Sequence, residues 1–279
     1  MHRYTRWSAF REISLWIAAV PVLAPLYFVI TTALRPSGDT AGSPFAPPAR
    51  PTAGNFSEAW GQAGGDTVSF GQALLNSTLA TVTVVVLLVA AGAPAGYALA
   101  RRGSRLGSLI FGLFTLALIL PIQLGLIPLY AFMVETGLAG TLAGLVLVYT
   151  GLQMPLAVFL YTGFFRALPT AYEEAALVDG ASPIRIFAQV ALPLVRPVTG
   201  VVAVLTGLFV WNDFFIAVVF VGDTDRATLP VAVYSFVGRF STNWPLLLAG
   251  AMIALVPVLL LYAFIQRSVT QGFTSTLRG

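Results

Sequence analysis

Six long stretches with almost no charge dominate this sequence. They cover residues 13–34, 73–99, 106–133, 142–165, 198–221 and 244–265, and Asp213 is the one charged residue inside them. The hydrocarbon core of a bilayer is about 30 Å thick, so an α-helix needs about 20 apolar residues to cross it. Every stretch reaches that length. The sequence therefore predicts an all-α integral membrane protein with six transmembrane helices.

The composition supports the same class. Charged residues make up 9% of the 279-residue chain and hydrophobic residues 57%, whereas an ordinary soluble domain is about 25% charged. So few charges could not cover a surface that faces water. The first stretch follows Arg3, Arg6 and Arg11, as a secretory signal would, but it is longer than the roughly 7–15 apolar residues of a signal peptide. We therefore expect it to remain as a helix.

The arginines predict the orientation, because short loops rich in basic residues stay in the cytoplasm. With the N-terminus inside, eleven arginines lie on the cytoplasmic side and four on the other. The cluster of Arg101, Arg102 and Arg105 is interpreted as part of this topological signal. We expect a cytoplasmic N-terminal segment (1–12), a transmembrane domain (13–265) and a cytoplasmic tail (266–279).

Three loops connect these helices over more than a turn. Residues 35–72, rich in Pro, Gly and Ser, are expected to form an extended external segment. Residues 222–243 form a second external loop, which combines charged side chains with an apolar core. Residues 166–196 form the longest cytoplasmic loop.

The residue inventory excludes most enzymes. All 15 basic residues are arginine, so the chain lacks the lysine of a phosphate-binding ATPase loop. Cysteine is absent and the one histidine is His2, which excludes thiolate sites and makes a catalytic triad or a multi-histidine metal site untenable. We expect no catalytic residue, metal or cofactor on this chain, and ATP chemistry only on a partner.

Helix capping signals divide the cytoplasmic loop. Thr170 with Glu173 three residues later matches a capping box, and Gly180 can take the left-handed position that ends a helix. These signals predict a helix over residues 171–179. Ser182 followed by Pro183 predicts the start of a second short helix.

The first helix of this loop has two possible roles. Ala175 and Ala176 would let another backbone approach closely, and acidic residues could fix the register of a partner. Alternatively, Tyr172, Leu177 and Val178 could rest on lipid headgroups. The residues alone leave both roles open.

This loop contains three elements in a fixed order: Glu174-Ala175-Ala176, Gly180 and Val190-Ala191-Leu192-Pro193. They resemble the E-A-A…G…I-x-L-P loop of binding-protein-dependent ABC importer permeases, with Val190 in place of the usual Ile. The resemblance implies type I importer permease architecture and a coupling helix that sits in a groove of a cytoplasmic ATPase. The residues that it assigns to coupling are Glu173, Glu174, Ala175, Ala176, Asp179, Gly180, Ala181, Ser182, Leu192 and Pro193.

Further segments resemble the carbohydrate-uptake branch, in particular the smaller permease subunit of maltose-type importers. They are Asn76-Ser77, Pro121-Ile122-Gln123, Ile127-Pro128-Leu129-Tyr130, Trp211-Asn212-Asp213, Thr242-Asn243-Trp244 and Gln266-Arg267. The resemblance implies a cell-membrane location, a second permease, two ATPases that bind ATP and Mg, and an external substrate-binding protein that contacts residues 222–243. No nucleic-acid partner is expected.

Polar residues inside the stretches are candidates for the translocation path. A charge near mid-membrane costs about 2.5–3.5 kcal/mol on insertion scales, so Asp213 needs a reason to be there. It could line a cavity beside Trp211, on which a sugar ring could stack, or make a structural hydrogen bond to a partner or a neighbouring helix. The full candidate set is Asn76, Gln123, Trp211, Asn212 and Asp213.

Three alternatives stay open. An importer of another cargo, such as glycerol phosphate, would share all these features. A secondary transporter or channel would need its own intramembrane charges, and one Asp is few for that purpose. A membrane enzyme is disfavoured by the residue inventory.

Overall fold

The computed structural model describes residues 6–37, 46–62, 68–222, 224–237 and 242–276. Regular structure among these residues is helical, apart from an isolated bridge between Val237 and Thr242. The all-α prediction is therefore confirmed for the described chain. Asp223 and Arg239, which belong to the second external loop, lie outside it.

The helices follow one another along the chain as α1 (Arg6–Ala33), α2 (Gly54–Gln62), α3 (Phe70–Arg101), α4 (Arg105–Ala117), a 3-10 turn (Ile122–Gly125), α5 (Leu126–Glu135), α6 (Leu142–Ala167), α7 (Ala171–Val178), α8 (Pro183–Ile186), a π-helical turn (Phe187–Ala191), α9 (Leu192–Leu194), α10 (Arg196–Asn212), α11 (Phe215–Val221), α12 (Leu229–Tyr234) and α13 (Trp244–Thr276).

Within the described part of the chain, three unbroken helical segments are long and apolar enough to cross a membrane: Ser14–Ala33, Phe70–Arg101 and Leu142–Ala167. Two predicted transmembrane helices are instead broken. The third divides into α4 and the segment Ile122–Glu135, which are bent by 100° from each other. The fifth divides at Asp213, between α10 and α11. A continuous helix was the wrong expectation at both places.

Proline explains the first break. Pro121 adopts an extended conformation (φ −68°, ψ 126°) directly before the 3-10 turn. Proline donates no backbone hydrogen bond and disfavours helical geometry in the preceding residue, so a helix ends easily there. Pro94 in α3 and Pro155 in α6, by contrast, lie inside continuous helices.

The chain divides into two compact units, residues 1–71 with 232–279, and residues 72–231. The first unit contains α1, α2 and α13, around a small core of Ala33, Ala59, Leu246 and Ala249. An extended segment was expected for residues 35–72, and this is wrong for the part that forms α2. Asn55, 3% exposed, holds α2 by donating hydrogen bonds to the carbonyls of Ala33 (2.7 Å) and Arg35 (2.6 Å).

In the second unit, α6 is the central helix and packs against α4, α10 and α11. Helix α3 crosses α6 at two glycines. A Cβ atom on Gly96 would lie 2.5 Å from the Cβ atom of Tyr161, and one on Gly92 would lie 3.1 Å from that of Ala157. Small residues four apart permit such close crossings between membrane helices. The Gly92–Gly96 pair therefore fixes how closely α3 approaches α6.

Candidate functional site: the loop of residues 166–196 and the break at Asp213

Helix α7 is followed by the predicted left-handed glycine, and its last residue is Val178, one residue before the predicted end. Gly180 adopts φ +79°, and its N–H donates to the Leu177 carbonyl at 3.0 Å. The N–H of Ala181 donates to the Ala176 carbonyl at 3.0 Å, which completes a Schellman motif. A Cβ atom on Gly180 would meet nothing within 4 Å. Glycine is therefore required here by backbone conformation and not by space.

The capping box predicted at the start of α7 is wrong. Thr170 has helical dihedral angles (φ −67°, ψ −19°) and its side chain makes no capping hydrogen bond. Its carbonyl instead accepts the N–H groups of Glu173 and Glu174, each at 2.9 Å. A capping box requires an extended residue at the N-cap and a free glutamate three residues on. Here the Glu173 carboxylate is bound to other groups.

Glu173 binds the end of α3. Its Oε1 atom accepts hydrogen bonds from Nε (2.9 Å) and Nη2 (2.7 Å) of Arg101, and its Oε2 atom accepts one from the Tyr97 hydroxyl (2.8 Å). Arg101 Nη2 also donates to the carbonyl of Leu168, which follows α6, at 3.1 Å. We call this arrangement of Tyr97, Arg101, Leu168 and Glu173 the Arg101 clasp.

The ion pair of the clasp is largely shielded from solvent, and the Tyr97 ring packs against two other aromatic rings. The side chains of Arg101 and Glu173 are 17% and 13% exposed. The Tyr97 ring lies 5.2 Å from the ring of Phe165 in α6 and 5.2 Å from that of Phe187 in the π-helical turn. Tyr97, near the end of α3, thus contacts both α6 and the π-helical turn.

The remainder of α7 presents apolar side chains to solvent. Val178 is 88% exposed and Leu177 is 61% exposed, and Ile184 of α8 is 81% exposed. Glu174, Ala175 and Asp179 are also exposed. We call this exposed part of α7 and α8 the α7 surface. The two adjacent acids therefore differ, since Glu173 points into the clasp while Glu174 belongs to the surface.

The second half of the loop follows its predicted signals. Ser182 is extended (φ −69°, ψ 156°), its hydroxyl accepts the Arg185 N–H at 3.4 Å, and Pro183 occupies the first turn of α8. Leu192 and Pro193 open α9, and the chain then bends before α10. The bend between Pro183–Leu194 and Arg196–Asn212 is 73°.

Asp213 lies at the break in the fifth helix. Its Oδ2 atom accepts hydrogen bonds from the Tyr149 hydroxyl (2.8 Å) and from the backbone N–H groups of Ile216 (2.9 Å) and Ala217 (3.2 Å). The N–H groups are at the start of α11, where a helix has unsatisfied donors. This geometry is that of the structural alternative, a hydrogen bond to a neighbouring helix.

The other path candidates have separate surroundings. Asn76 is 1% exposed, and its side-chain amide donates to the carbonyls of Asp225 and Ala227, each at 3.1 Å. Gln123 is exposed in the 3-10 turn. Asn212 is exposed and donates to Leu208 of its own helix at 2.8 Å, and Trp211 is partly buried. Their role in translocation stays a prediction.

Sequence reasoning missed the partners of these acids. The arginine cluster that contains Arg101 predicts topology, with headgroup contact as a secondary effect, and no sequence signal points to Tyr97 or Tyr149. Arg101 and Glu173 are 72 residues apart, and Tyr149 and Asp213 are 64 apart. No spacing rule within one helix joins residues so distant. An acid inside an apolar stretch, such as Asp213, signals that a partner is present, but the sequence does not show which residue that partner is.

Comparison with known proteins agrees with this architecture. The profile of the family described as binding-protein-dependent transport system inner membrane component matches residues 92–274. The chain is 35% identical over 277 residues to the melibiose/raffinose/stachyose import permease protein MelC of Bacillus subtilis, covering 98% of each. It is 33% identical over 273 residues to the diacetylchitobiose uptake system permease protein NgcG of Streptomyces coelicolor, covering 96% of this chain and 89% of that protein.

A solved structure is similar over almost the whole chain. It is one chain of a bacterial ABC transporter involved in the import of the acidic polysaccharide alginate. The TM-score is 0.79, over 96% of this chain and 99% of that chain, at 20% identity. At this identity the likeness shows a shared fold.

Proposed function

This chain belongs to the family of inner membrane components of binding-protein-dependent transport systems, and from this premise we propose that it is a permease subunit of an ABC importer for a sugar or oligosaccharide. The observation that carries the proposal is the capped helix α7, which ends at a left-handed Gly180 and exposes Glu174 and apolar side chains. The cargo class rests on the relatives, which are named for the import of melibiose, raffinose and stachyose and for the uptake of diacetylchitobiose.

We propose six transmembrane helices with both termini in the cytoplasm of a multi-pass cell-membrane protein. Three unbroken helices, the bent pair Arg105–Ala117 with Ile122–Glu135, the pair α10 with α11, and the shorter apolar stretch Trp244–Leu260 supply six candidates. The eleven-to-four distribution of arginine supports the orientation. In this topology the transmembrane domain is 13–265, the external loops are 35–72 and 222–243, and the cytoplasmic loop is 166–196.

We further propose that the α7 surface docks on a cytoplasmic ATPase. An exposed apolar patch flanked by acids suits a groove with an apolar floor and a basic rim, because burial of apolar area and charge complementarity both favour binding. ATP and Mg would bind on two such ATPases, since this chain contains no lysine for a phosphate loop. A second permease would complete the path, and an external binding protein would contact residues 222–243.

The experiment is purification of the tagged chain from its native membrane in mild detergent, with mass spectrometry of the retained proteins. Recovery of a second permease and an ATPase is the expected result. The associated binding protein is then tested by thermal shift with melibiose, raffinose, stachyose, diacetylchitobiose and glycerol phosphate. A stable homo-oligomer without an ATPase would contradict the proposal and favour a channel or secondary transporter. A thermal shift only with glycerol phosphate would contradict the sugar cargo.

A charge-reversal pair localises the ATPase contact. Glu174→Arg places a cation on the α7 surface and is expected to lower the recovered ATPase at least fivefold, because like charges across an interface repel. The matched control is Glu135→Arg, which reverses an exposed acid at the end of α5, on the external side in the proposed topology. Equal ATPase recovery in both variants would remove the docking assignment from the α7 surface.

A further inference from the structure

We propose that Arg101 is the positioning residue that joins α7 to the membrane helices, and that it does so by binding Glu173 so that α7 and the end of α3 move together. The proposal deepens the proposed function and rests on it, because it concerns how ATPase motion at the α7 surface reaches the transmembrane helices. Two neighbouring acids then have different roles. Glu174 faces the ATPase, and Glu173 connects the loop to α3.

The first support is the saturation of the Glu173 carboxylate. One oxygen accepts two guanidinium N–H groups and the other accepts the Tyr97 hydroxyl. A carboxylate that is held by an arginine at two points and by a third donor has little freedom to turn toward another protein. Glu173 is also only 13% exposed. It is therefore occupied within this chain, while Glu174 is exposed.

The second support is that the clasp joins three elements at one point. Arg101 is the last residue of α3, Leu168 directly follows α6, and Glu173 lies in the first turn of α7. Arg101 Nη2 contacts both Leu168 and Glu173. A displacement of α7 therefore acts on the ends of two membrane helices through a single guanidinium group. Such a contact transmits motion without a change in its own structure.

The third support is the burial of the pair. With 17% and 13% exposure, Arg101 and Glu173 are poorly screened by water compared with surface ion pairs. Removal of one partner leaves the other charge in this shielded place, which is far more costly than loss of an exposed pair. The aromatic contacts of Tyr97 with Phe165 and Phe187 hold the third member in place.

A topological role for Arg101 makes a different prediction. That role needs only a positive charge near the membrane, which lysine supplies equally well. The clasp needs two N–H groups on one carboxylate oxygen and a third contact to Leu168, which a single ammonium group does not reproduce. Arg101→Lys therefore separates the two roles. Arg102→Lys is the matched control, because Arg102 is the next residue and is exposed.

The experiment uses the complete transporter reconstituted in liposomes, with sugar uptake and ATP hydrolysis measured together. Arg101→Lys, Arg101→Glu and Glu173→Arg are expected to retain the ATPase but to lower uptake per ATP hydrolysed, by about tenfold for the reversals, because each breaks a shielded pair. The double variant Arg101→Glu/Glu173→Arg is expected to recover part of the lost uptake, to about threefold above either single reversal, since opposite charges again face each other while the Leu168 contact is not restored. Normal uptake in both reversals, or no recovery in the double variant, would overturn the proposal.

A second measurement reports directly on the connection between the end of α3 and the start of α7. The chain contains no cysteine, so Arg102→Cys and Thr170→Cys accept a pair of spin labels without removal of native thiols. Thr170 suits this use because its side chain makes no capping bond. Arg101→Gln is expected to broaden the distribution of distances between the labels in the reconstituted complex. An unchanged distribution would overturn the proposal even if transport were lost.

Different variants test the docking role of the α7 surface and the role of the Arg101 clasp. If Glu174→Arg leaves ATPase recovery intact, the docking role of the α7 surface fails. If Glu174→Arg releases the ATPase while the Arg101 and Glu173 variants transport normally, only the clasp proposal fails.

Discussion

The Tyr149 hydroxyl donates a hydrogen bond of 2.8 Å to Oδ2 of Asp213, across the contact between α6 and the broken fifth helix. The same oxygen accepts two backbone N–H groups at the start of α11. All three partners are donors, so an oxygen acceptor is needed at this position and the full negative charge is not.

The first prediction concerns this acceptor. Asp213→Asn keeps one side-chain oxygen and is expected to preserve most transport and thermal stability. Asp213→Ala leaves the buried Tyr149 hydroxyl and the N–H groups of α11 without their acceptor, and each lost buried partner costs about 1–3 kcal/mol. A lowered melting temperature of the detergent-solubilised complex is the expected measurement. Asn212→Ala is the control, because the Asn212 amide is exposed and bonds within its own helix.

The control also tests the translocation path. If Asn212→Ala leaves the melting temperature unchanged but lowers sugar uptake, Asn212 contacts cargo. If Asp213→Asn is as damaging as Asp213→Ala, the charge itself matters and the acceptor argument is wrong.

The second prediction concerns Gly180. Because its φ is +79° and a Cβ atom would meet nothing within 4 Å, substitutions are expected to act through backbone strain. Ala in a left-handed conformation costs about 1–2 kcal/mol, Asn tolerates it better, and β-branched Val tolerates it worst. ATPase recovery is expected to fall in the order Gly, Asn, Ala, Val. If Asn is as damaging as Val, the side chain itself meets the ATPase.

The third prediction concerns the crossing of α3 and α6. Gly96→Ala forces the helices apart, because its Cβ atom would lie 2.5 Å from that of Tyr161. Overpacking of this kind costs about 1–3 kcal/mol. The control is Gly163→Ala in α6, whose Cβ atom would meet nothing within 4 Å. It is expected to be neutral or slightly stabilising. Equal melting temperatures for both variants would contradict the close crossing.

The fourth prediction concerns the loop after α11. Asn76 holds the carbonyls of Asp225 and Ala227, and the Ser77 hydroxyl accepts the Leu229 N–H at 2.8 Å. Asn76→Ala removes both donor bonds and is expected to speed trypsin cleavage after the exposed Arg226 about tenfold, because local opening becomes easier. The assay uses vesicles with the external face outward.

Glu135 provides an internal control for this assay. It is exposed at the end of α5 and external in the proposed topology, so its cleavage by a glutamate-specific protease should not change in the Asn76 variant. Equal acceleration of cleavage after Arg226 and after Glu135 would indicate general destabilisation. Protection of both sites would contradict the orientation.

Local chemistry made part of this structure predictable. The left-handed Gly180 and the Ser182–Pro183 helix start depend on adjacent residues, and both lie where their signals indicate. Long apolar composition likewise predicted α6, which extends over Leu142–Ala167. Such features depend on the local conformational preferences of adjacent residues and on the length of an apolar run. Both can be read from the sequence.

Other features depend on tertiary structure. The 3-10 turn after Pro121 and the break at Asp213 interrupt runs that are long enough to cross a membrane. A proline inside such a run does not by itself predict a break, because Pro94 and Pro155 lie inside continuous helices. Helix α2 is stabilised by contacts with α13 and by Asn55 bonding to the end of α1. The Thr170 capping box failed because Arg101, distant in sequence, binds the glutamate that the box requires.

The length of α3 has a consequence for how this chain can vary. Asn76 near its start holds the loop after α11, and Tyr97 and Arg101 near its end hold α7. About 21 residues separate Asn76 from Tyr97, or roughly 32 Å of helix, close to the thickness of the hydrocarbon core. One inserted residue would turn one set of side chains by about 100° relative to the other. Away from the Gly92–Gly96 crossing, substitutions along the intervening helix leave this register unchanged, but its residue count can change only if one end of α3 loses its contacts.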